Sequence, residues 1–189
     1  DFKSKQKIKY KNSCVYTGSL FQGKGIDIIL QLAKKLNDYN FYVYGDLGTA
    51  PKKILNECLK LKNIKLLGYV KYSKIPRILK SHKIIIMPYA KSVFGNHKYA
   101  NIGKYMSPLK LFDYLAAGRI ILASESQSYN HILKNNINSI LCDPKNLEKW
   151  LKALRDISQN KINFNRLKKN SQETAKLFSW NSRIDKIVR

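Results

Sequence analysis

Six short apolar segments separated by helical patterns constrain the fold of this chain more than any other feature. The clearest is the run Ile-Ile-Ile-Met at residues 84–87, which Pro88 ends, and the others begin near residues 13, 41, 64, 120 and 139. Such runs are typical of parallel strands buried on both faces, with helices as crossovers. The sequence therefore predicts an α/β fold, a doubly wound and mainly parallel six-stranded sheet flanked by helices. The helical patterns cover residues 26–36, 51–61, 73–81, 127–134, 145–159 and 163–178, with a last helix starting near Trp180.

The first twelve residues differ from the rest of the chain. Lysine stands at positions 3, 5, 7, 9 and 11, and no continuous apolar face accompanies it. This pattern predicts a linker or edge segment over residues 1–12 and a single domain over residues 13–189. Because the chain begins with Asp1 rather than Met, we expect it to be a trimmed piece of a longer protein.

The net charge of +24 favours anionic partners. Three explanations stay open: a compositional drift towards lysine, an anionic membrane surface, and nucleic acid. Nucleic acid is disfavoured because no basic run is interleaved with aromatic residues and no binding motif is found. Membrane attachment rests on charge alone, and sedimentation of the full-length protein with anionic liposomes at low salt would test it.

Compartment and cofactor are constrained by what the sequence lacks. No signal peptide is visible and the apolar runs are too short to span a bilayer, which favours a cytoplasmic protein, with peripheral attachment to the inner face of the membrane as the alternative. Cys14, Cys58 and Cys142 are widely spaced and include no CxxC pair, a pattern typical of reduced core thiols. Neither these cysteines nor the three histidines lie at metal-ligand spacings, which disfavours a zinc site. We expect no cofactor.

The loops that follow the predicted strands form the candidate binding region. In a doubly wound sheet, ligands bind beyond the carboxyl ends of the strands, where the strand order reverses. The loop of residues 18–25 contains three glycines and Lys24, although its spacing is not that of a P-loop. Further loops at residues 45–48, 68–70 and 88–110 add glycines and basic side chains. Together they predict an anionic, nucleotide-like ligand.

Residues 106–124 read as loop, helix, turn and strand. Ser107 is suited to cap a helix, Pro108 to occupy its first position, and Gly118 to end it. The free amides and positive dipole end of this helix, together with Lys110, suit an anion such as phosphate. Asp113 lies within the first turns, where its carboxylate can accept hydrogen bonds from sugar hydroxyls.

The order of these motifs resembles the C-terminal, nucleotide-sugar-binding domain of family 4 (group 1) retaining glycosyltransferases. The resemblance implies a Rossmann-like domain that is one half of the two-domain GT-B fold. The segment from Ser107 to Ser124 is similar to the family block SPxKxxEYxAxGxPxxxS. The other matching segments are Val15-Tyr16-Thr17-Gly18-Ser19-Leu20 with Lys24-Gly25, Val43-Tyr44-Gly45-Asp46-Leu47-Gly48, Leu67-Gly68-Tyr69-Val70, Ile86-Met87-Pro88-Tyr89 and Phe178-Ser179-Trp180.

The resemblance implies a role for each matching residue. Lys24 would pair with the donor diphosphate and Asp113 would bind the ribose hydroxyls, which makes these two the catalytic candidates. Amides near Pro108, Leu109 and Lys110 would hold phosphate oxygens, and Tyr69 and Val70 would line the base pocket. Gly18, Ser19, Gly45 and Ser107 complete the implied binding set. The donor would be a UDP- or GDP-linked sugar, bound without metal.

Three positions depart from the family pattern. Ser19 stands where many members have arginine, which would remove one phosphate contact. Tyr105 stands where the acidic residue that touches the transferred sugar is usually found, and Asp113 is one methylene shorter than the usual glutamate. An inactive nucleotide-binding scaffold and a basic nucleic-acid-binding module are therefore kept as alternatives to an enzyme in envelope polysaccharide or glycolipid synthesis. The resemblance implies that the acceptor-binding N-terminal domain is missing from this piece, so we expect the isolated domain to transfer no sugar.

Overall fold

The structure, a computed structural model, describes residues 7–94, 101, 103 and 109–179 of the chain. Six strands in the order β3-β2-β1-β4-β5-β6 form one sheet, and every neighbouring pair is parallel. The predicted fold class and the six predicted strands are thereby confirmed. The strands are β1 (Tyr10–Thr17), β2 (Asn40–Tyr44), β3 (Ile64–Leu66), β4 (His82–Met87), β5 (Ile120–Ser124) and β6 (Ile140–Cys142).

Helices connect and cover these strands. Two 3₁₀ turns, Leu47–Thr49 and Tyr72–Lys74, follow the loops after β2 and β3. The last predicted helix, near Trp180, lies outside the described residues. The α-helices are α1 (Ile26–Lys35), α2 (Lys52–Leu59), α3 (Ile75–Ser81), α4 (Lys110–Ala117), α5 (Leu147–Ser158) and α6 (Phe164–Leu177).

Two local predictions differ from the structure. The first strand begins at Tyr10, three residues before the predicted strand start at residue 13, because Tyr10 pairs with His82 at the start of β4. Residues 127–134, predicted as a short helix, form turns instead. The Asn138 side chain accepts a hydrogen bond from the Lys134 amide at 2.8 Å and donates one to the Ile132 carbonyl at 2.9 Å. These side-chain bonds replace those a helix would make.

The core lies on both faces of the sheet. Strand β5 is buried at all five residues, as its continuous apolar sequence predicts. On α5, the fully buried Trp150 donates its indole N–H to the Asp143 carbonyl at 3.0 Å. Cys14, Cys58 and Cys142 are buried and free, in agreement with their predicted place in the core.

The described residues contain neither a membrane-spanning helix nor a metal-ligand cluster. No described helix is long and apolar enough to cross a bilayer. Within the same ranges, no three His, Cys, Asp or Glu side chains are grouped so that they could hold a metal ion.

Strand order reverses between β1 and β4. The chain runs outward from β1 to β2 and β3 on one side, and from β4 to β5 and β6 on the other. The helices on either side of this switch point diverge, which leaves a crevice at the carboxyl ends of the two central strands. The loop after β1 and the segment after β4 therefore lie where a ligand is expected.

At the amino end of β4, His82 is buried against two tyrosine rings. Its ring lies 4.8 Å from the Tyr10 ring and 4.6 Å from the Tyr42 ring, centroid to centroid. Its Nδ1 lies 2.9 Å from Ser13 Oγ, which donates its own proton to the Tyr10 carbonyl. Nδ1 therefore donates its proton to Ser13 Oγ, and burial lowers the pKa of His82 to about 4, so the ring is neutral at pH 7.

This burial makes the stability of the domain pH-dependent. In the unfolded chain His82 has the usual histidine pKa of about 6.5, and in the folded chain its pKa is about 4. Between these two values the unfolded chain binds a proton that the folded chain does not. The free energy of unfolding therefore falls as the pH falls through this range. Lowering the pH from 7 to 5 should reduce the free energy of unfolding by about 2 kcal/mol through this residue. Urea denaturation at both pH values measures it, and His82→Phe, which keeps an aromatic ring at this position, should lose that part of the pH dependence.

The exposed His131 provides the control. His131→Gln should retain the full pH dependence of the unmodified chain. An unchanged pH dependence in His82→Phe would show that another group is responsible.

Candidate functional site

A cleft of about 530 Å³ opens at the carboxyl ends of β1, β2 and β3 and is bounded by the start of α4. It lies beside the switch point of the sheet, in the region that the strand-end loops predicted. Of the predicted site residues, Lys24 does not line this cleft, and Ser107 and Pro108 lie outside the described residues. Those that line it are Gly18, Ser19, Gly45, Tyr69, Val70, Leu109, Lys110 and Asp113.

A second cleft, of about 470 Å³, lies beyond the ends of β4 and β5. Lys91 and Glu125 line it, together with small and amide side chains. None of the predicted site residues lies there. The first cleft is therefore the candidate site.

Gly18 and Gly45 bring two strand-end loops into backbone contact. A Cβ on Gly45 would lie 2.0 Å from the Gly18 carbonyl oxygen, so only glycine fits there. Gly18 has a φ of +128°, which favours glycine as well. The amides of both residues are used in the sheet extension, because Gly18 N donates to Tyr44 O and Gly45 N to Gly68 O, each at 2.9 Å.

The Lys110 side chain runs from the start of α4 back beneath this pair of loops. Its Nζ donates to the Thr17 carbonyl at 2.9 Å and lies 4.1 Å from the centroid of the Tyr16 ring. Burial, and secondarily the charge of Lys24, lowers the pKa of Lys110 well below its usual value. The sequence predicted a cation at the helix start, whereas the structure places this ammonium under the Gly18 loop.

Lys24 approaches the same region from the β1–α1 loop. Its Nζ lies 4.7 Å from the centroid of the Tyr89 ring, and the Lys110 Nζ lies at the same distance from that ring. The loop packs closely against the segment after β4. A Cβ on Gly25 (φ +92°) would come within 2.1 Å of the Pro88 carbonyl oxygen, so only glycine fits there. Partial burial lowers the pKa of Lys24. Two cationic side chains thus converge on one aromatic ring at the switch point.

Asp113 projects from α4 into the candidate cleft and is half-buried. The Tyr72 hydroxyl donates to Asp113 Oδ1 at 2.7 Å. Burial raises the pKa of the carboxyl, and the hydrogen bond from Tyr72 partly offsets that rise. The sequence analysis missed Tyr72, although its position three residues after Tyr69 in the same strand-end loop was the available signal.

Among the other lining residues that the sequence did not predict, Asp46 and Thr49 fix the loop after β2. The Asp46 carboxylate accepts from the Gly48 amide at 2.9 Å, an Asx turn that starts the 3₁₀ segment. The Thr49 hydroxyl accepts from the Leu20 amide at 2.9 Å and donates to the Asp46 carbonyl at 2.7 Å. These hydrogen bonds connect the loops after β1 and β2, which together form the floor of the cleft.

The arrangement suits a ligand that has an anionic part and a part with hydroxyl groups. Lys110 supplies positive charge in the cleft, and Lys24, which does not line it, adds charge at the Tyr89 ring that both lysines contact. Asp113 supplies an acceptor oxygen, and Tyr69, 80% exposed at the rim, supplies a free aromatic surface. Tyr105, where the expected sugar-contacting acid is replaced, lies outside the described residues.

Comparison with known families decides where the chain belongs. The family model described as glycosyl transferases group 1 matches residues 1–174. The chain belongs to the group 1 family of glycosyl transferases. No curated protein matches this group 1 chain.

Solved structures share the fold of this group 1 domain. A glycosyltransferase from Rickettsia africae superposes with a TM-score of 0.75 at 16% identity, over 93% of this chain and 46% of that one. TarM, known in Staphylococcus aureus, gives a TM-score of 0.74 at 18% identity, over 98% of this chain and 36% of that one. The C-terminal domain of LpcC from Francisella tularensis gives 0.65 at 20% identity, over 91% and 87%. The group 1 chain therefore has the Rossmann-like fold that forms half of a GT-B glycosyltransferase.

Proposed function

We propose that this chain is the donor-binding domain of a glycosyltransferase that transfers a sugar, with retention, from a nucleotide-diphospho-sugar to an acceptor in envelope polysaccharide or glycolipid synthesis. Membership of the group 1 family supports the reaction type. The observation that carries the site assignment is that Lys110 and Asp113 line one cleft beside the glycine loops, while Lys24 shares the Tyr89 ring with Lys110.

In this proposal the cleft and the adjacent Lys24 each meet one part of the donor. Lys24, with the amides at the start of α4, faces the diphosphate, where fixed positive charge stabilises the departing nucleoside diphosphate. Asp113 accepts hydrogen bonds from the ribose, and the base lies against Tyr69 and Val70. The charge that the diphosphate carries would also relieve the repulsion between the two lysines.

A uridine nucleotide is the first donor to test. One solved structure of Staphylococcus aureus TarM contains UDP, and one of HepE from Anabaena contains UDP-glucose. Both proteins share the fold of this chain, at 17% and 14% identity respectively. A GDP-linked sugar is the second candidate.

The reaction as a whole needs a second domain. The chain spans less than half the length of the Rickettsia africae enzyme and of TarM. In a GT-B enzyme the acceptor binds to the other domain, across the interdomain cleft. We therefore propose that the isolated chain binds the donor nucleotide but transfers no sugar.

Calorimetric titration of the chain with UDP, GDP and ADP tests this proposal. We expect saturable binding of one nucleotide with a millimolar or lower dissociation constant. Lys24→Ala and Asp113→Ala should each weaken it about tenfold, because each removes a hydrogen bond that involves a charged group. The exposed Lys62 lies away from the cleft, so Lys62→Ala is the matched control and should bind like the unmodified chain.

Two results would contradict the proposal. Equal weakening by Lys24→Ala and Lys62→Ala would assign the binding to general surface charge. Salt-sensitive binding to DNA, without preference for any nucleotide, would favour a nucleic-acid-binding module instead.

A further inference from the structure

We propose that Tyr72 is a positioning residue that orients Asp113 for recognition of the donor ribose, an inference that rests on the proposed function of the cleft. No family motif in the sequence includes this tyrosine. Its hydroxyl lies 2.7 Å from Asp113 Oδ1, and both residues line the candidate cleft.

Tyr72 is held by a backbone turn rather than by burial of its ring. It begins the 3₁₀ segment Tyr72–Lys74, in which the Lys74 amide donates to the Lys71 carbonyl at 2.9 Å. Helix α3 follows directly, with Pro76 buried in its first turn. The side chain is nevertheless 67% exposed. A well-anchored backbone therefore presents a solvent-exposed phenol to a half-buried carboxylate.

The hydrogen bond divides the two oxygens of Asp113 between two tasks. Oδ1 accepts from Tyr72, which fixes the rotation of the carboxylate about its last bond. Oδ2 stays as the acceptor for a sugar hydroxyl. Asp113 is one methylene shorter than glutamate, so it reaches less far into the cleft, and its direction matters more. A fixed direction lowers the ordering cost when the ribose binds.

The role of Tyr72 is specific to the ribose hydroxyls. A purely structural role would affect every nucleotide equally, whereas a tyrosine that aims Asp113 affects only ligands with a hydroxyl for Asp113 to bind. The ratio of affinities for UDP and for its 2′,3′-dideoxy analogue therefore reports on this role and not on general stability.

The experiment measures that ratio for the unmodified chain, Tyr72→Phe, Asp113→Ala and the double variant. Tyr72→Phe keeps the ring and removes the hydroxyl, so we expect about fivefold weaker UDP binding, with binding of the dideoxy analogue unchanged. In the Asp113→Ala background, Tyr72→Phe should have no further effect, because the residue acts through that carboxylate.

The other outcomes contradict either the role of Tyr72 or the proposed function of the cleft. If Tyr72→Phe weakens UDP and the dideoxy analogue equally, or weakens UDP equally in both backgrounds, the positioning role is wrong. If UDP binds, Asp113→Ala removes the discrimination and Tyr72→Phe preserves it, the inference fails while the proposed function stands. If neither UDP nor GDP binds the unmodified chain, the proposed function itself fails.

Discussion

Replacing Lys110 by methionine should weaken UDP binding about 30-fold, because a hydrogen bond between its ammonium and the diphosphate would contribute about 2 kcal/mol to binding. The free energy of unfolding should be unchanged or slightly higher. The ammonium contacts a carbonyl and three tyrosine rings, with Tyr114 as the third at 5.8 Å. Within the described ranges, no carboxylate lies at ion-pair distance from it. Its charge is therefore desolvated without a described counter-ion, which is unfavourable until an anion binds.

Methionine relieves that cost while it fills a similar volume. Its flexible thioether packs well against aromatic rings. The Thr17 carbonyl keeps a partner, because the Tyr114 hydroxyl also donates to it at 3.1 Å. We therefore expect stability and nucleotide binding to respond in opposite senses at this residue.

Calorimetry with UDP and urea denaturation measure the two quantities. Lys62→Met, at an exposed position, is the matched control and should change neither. UDP binding by Lys110→Met within twofold of the unmodified chain would show that the ammonium serves only the fold. A clear loss of stability would show that its bond to Thr17 outweighs its desolvation.

Replacing Gly45 by alanine should destabilise the domain by about 3 kcal/mol, because overpacking between two backbones cannot be relieved by a change of side-chain rotamer. The new Cβ would lie 2.0 Å from the Gly18 carbonyl oxygen. Separating the two loops would strain the bonds from Gly18 to Tyr44 and from Gly45 to Gly68. The cleft floor is built from these loops, so nucleotide binding should fall as well.

Gly48→Ala is the control for this prediction. Gly48 lies in the same loop, and a Cβ there would meet only the Asp46 Oδ1, at 3.2 Å. A side-chain oxygen can move slightly, so we expect a loss of less than about 1 kcal/mol. Urea denaturation of both variants measures the two losses in the free energy of unfolding. Similar stability of Gly45→Ala and Gly48→Ala would mean that the loop after β2 separates from Gly18 at little cost.

The fold was largely predictable because its signals are local. A parallel strand buried on both faces must be apolar along its length, and the runs at 84–87 and 120–123 show this directly. The wrong helix at 127–134 shows the limit of such signals. Asn138 lies beyond the end of that segment, and its side chain bonds to the backbone of Ile132 and Lys134 in place of helical partners. The apolar periodicity of residues 127–134 contains no information about this side chain.

The position of the candidate cleft in the fold was predictable from the sequence, but most contacts between its side chains were not. Strand-end glycines located the cleft, because carboxyl ends of parallel strands meet at one edge. The tests above address the assigned roles of Lys24, Asp113 and the base-pocket residues, which stay proposals. Tyr72 was missed because its contact with Asp113 spans 41 residues of sequence and follows no motif.

By itself the sequence determined the strand and helix order, the edge of the sheet where the glycine loops gather, and the family resemblance, since all of these depend on residue type and spacing along the chain. Only the tertiary structure decided that Lys110 lies under the Gly18 loop, that Lys24 and Lys110 share the Tyr89 ring, and that Tyr72 holds Asp113. The physical reason is that the direction of a long side chain is set by desolvation and by partners from distant segments, and these come together only when the sheet has formed.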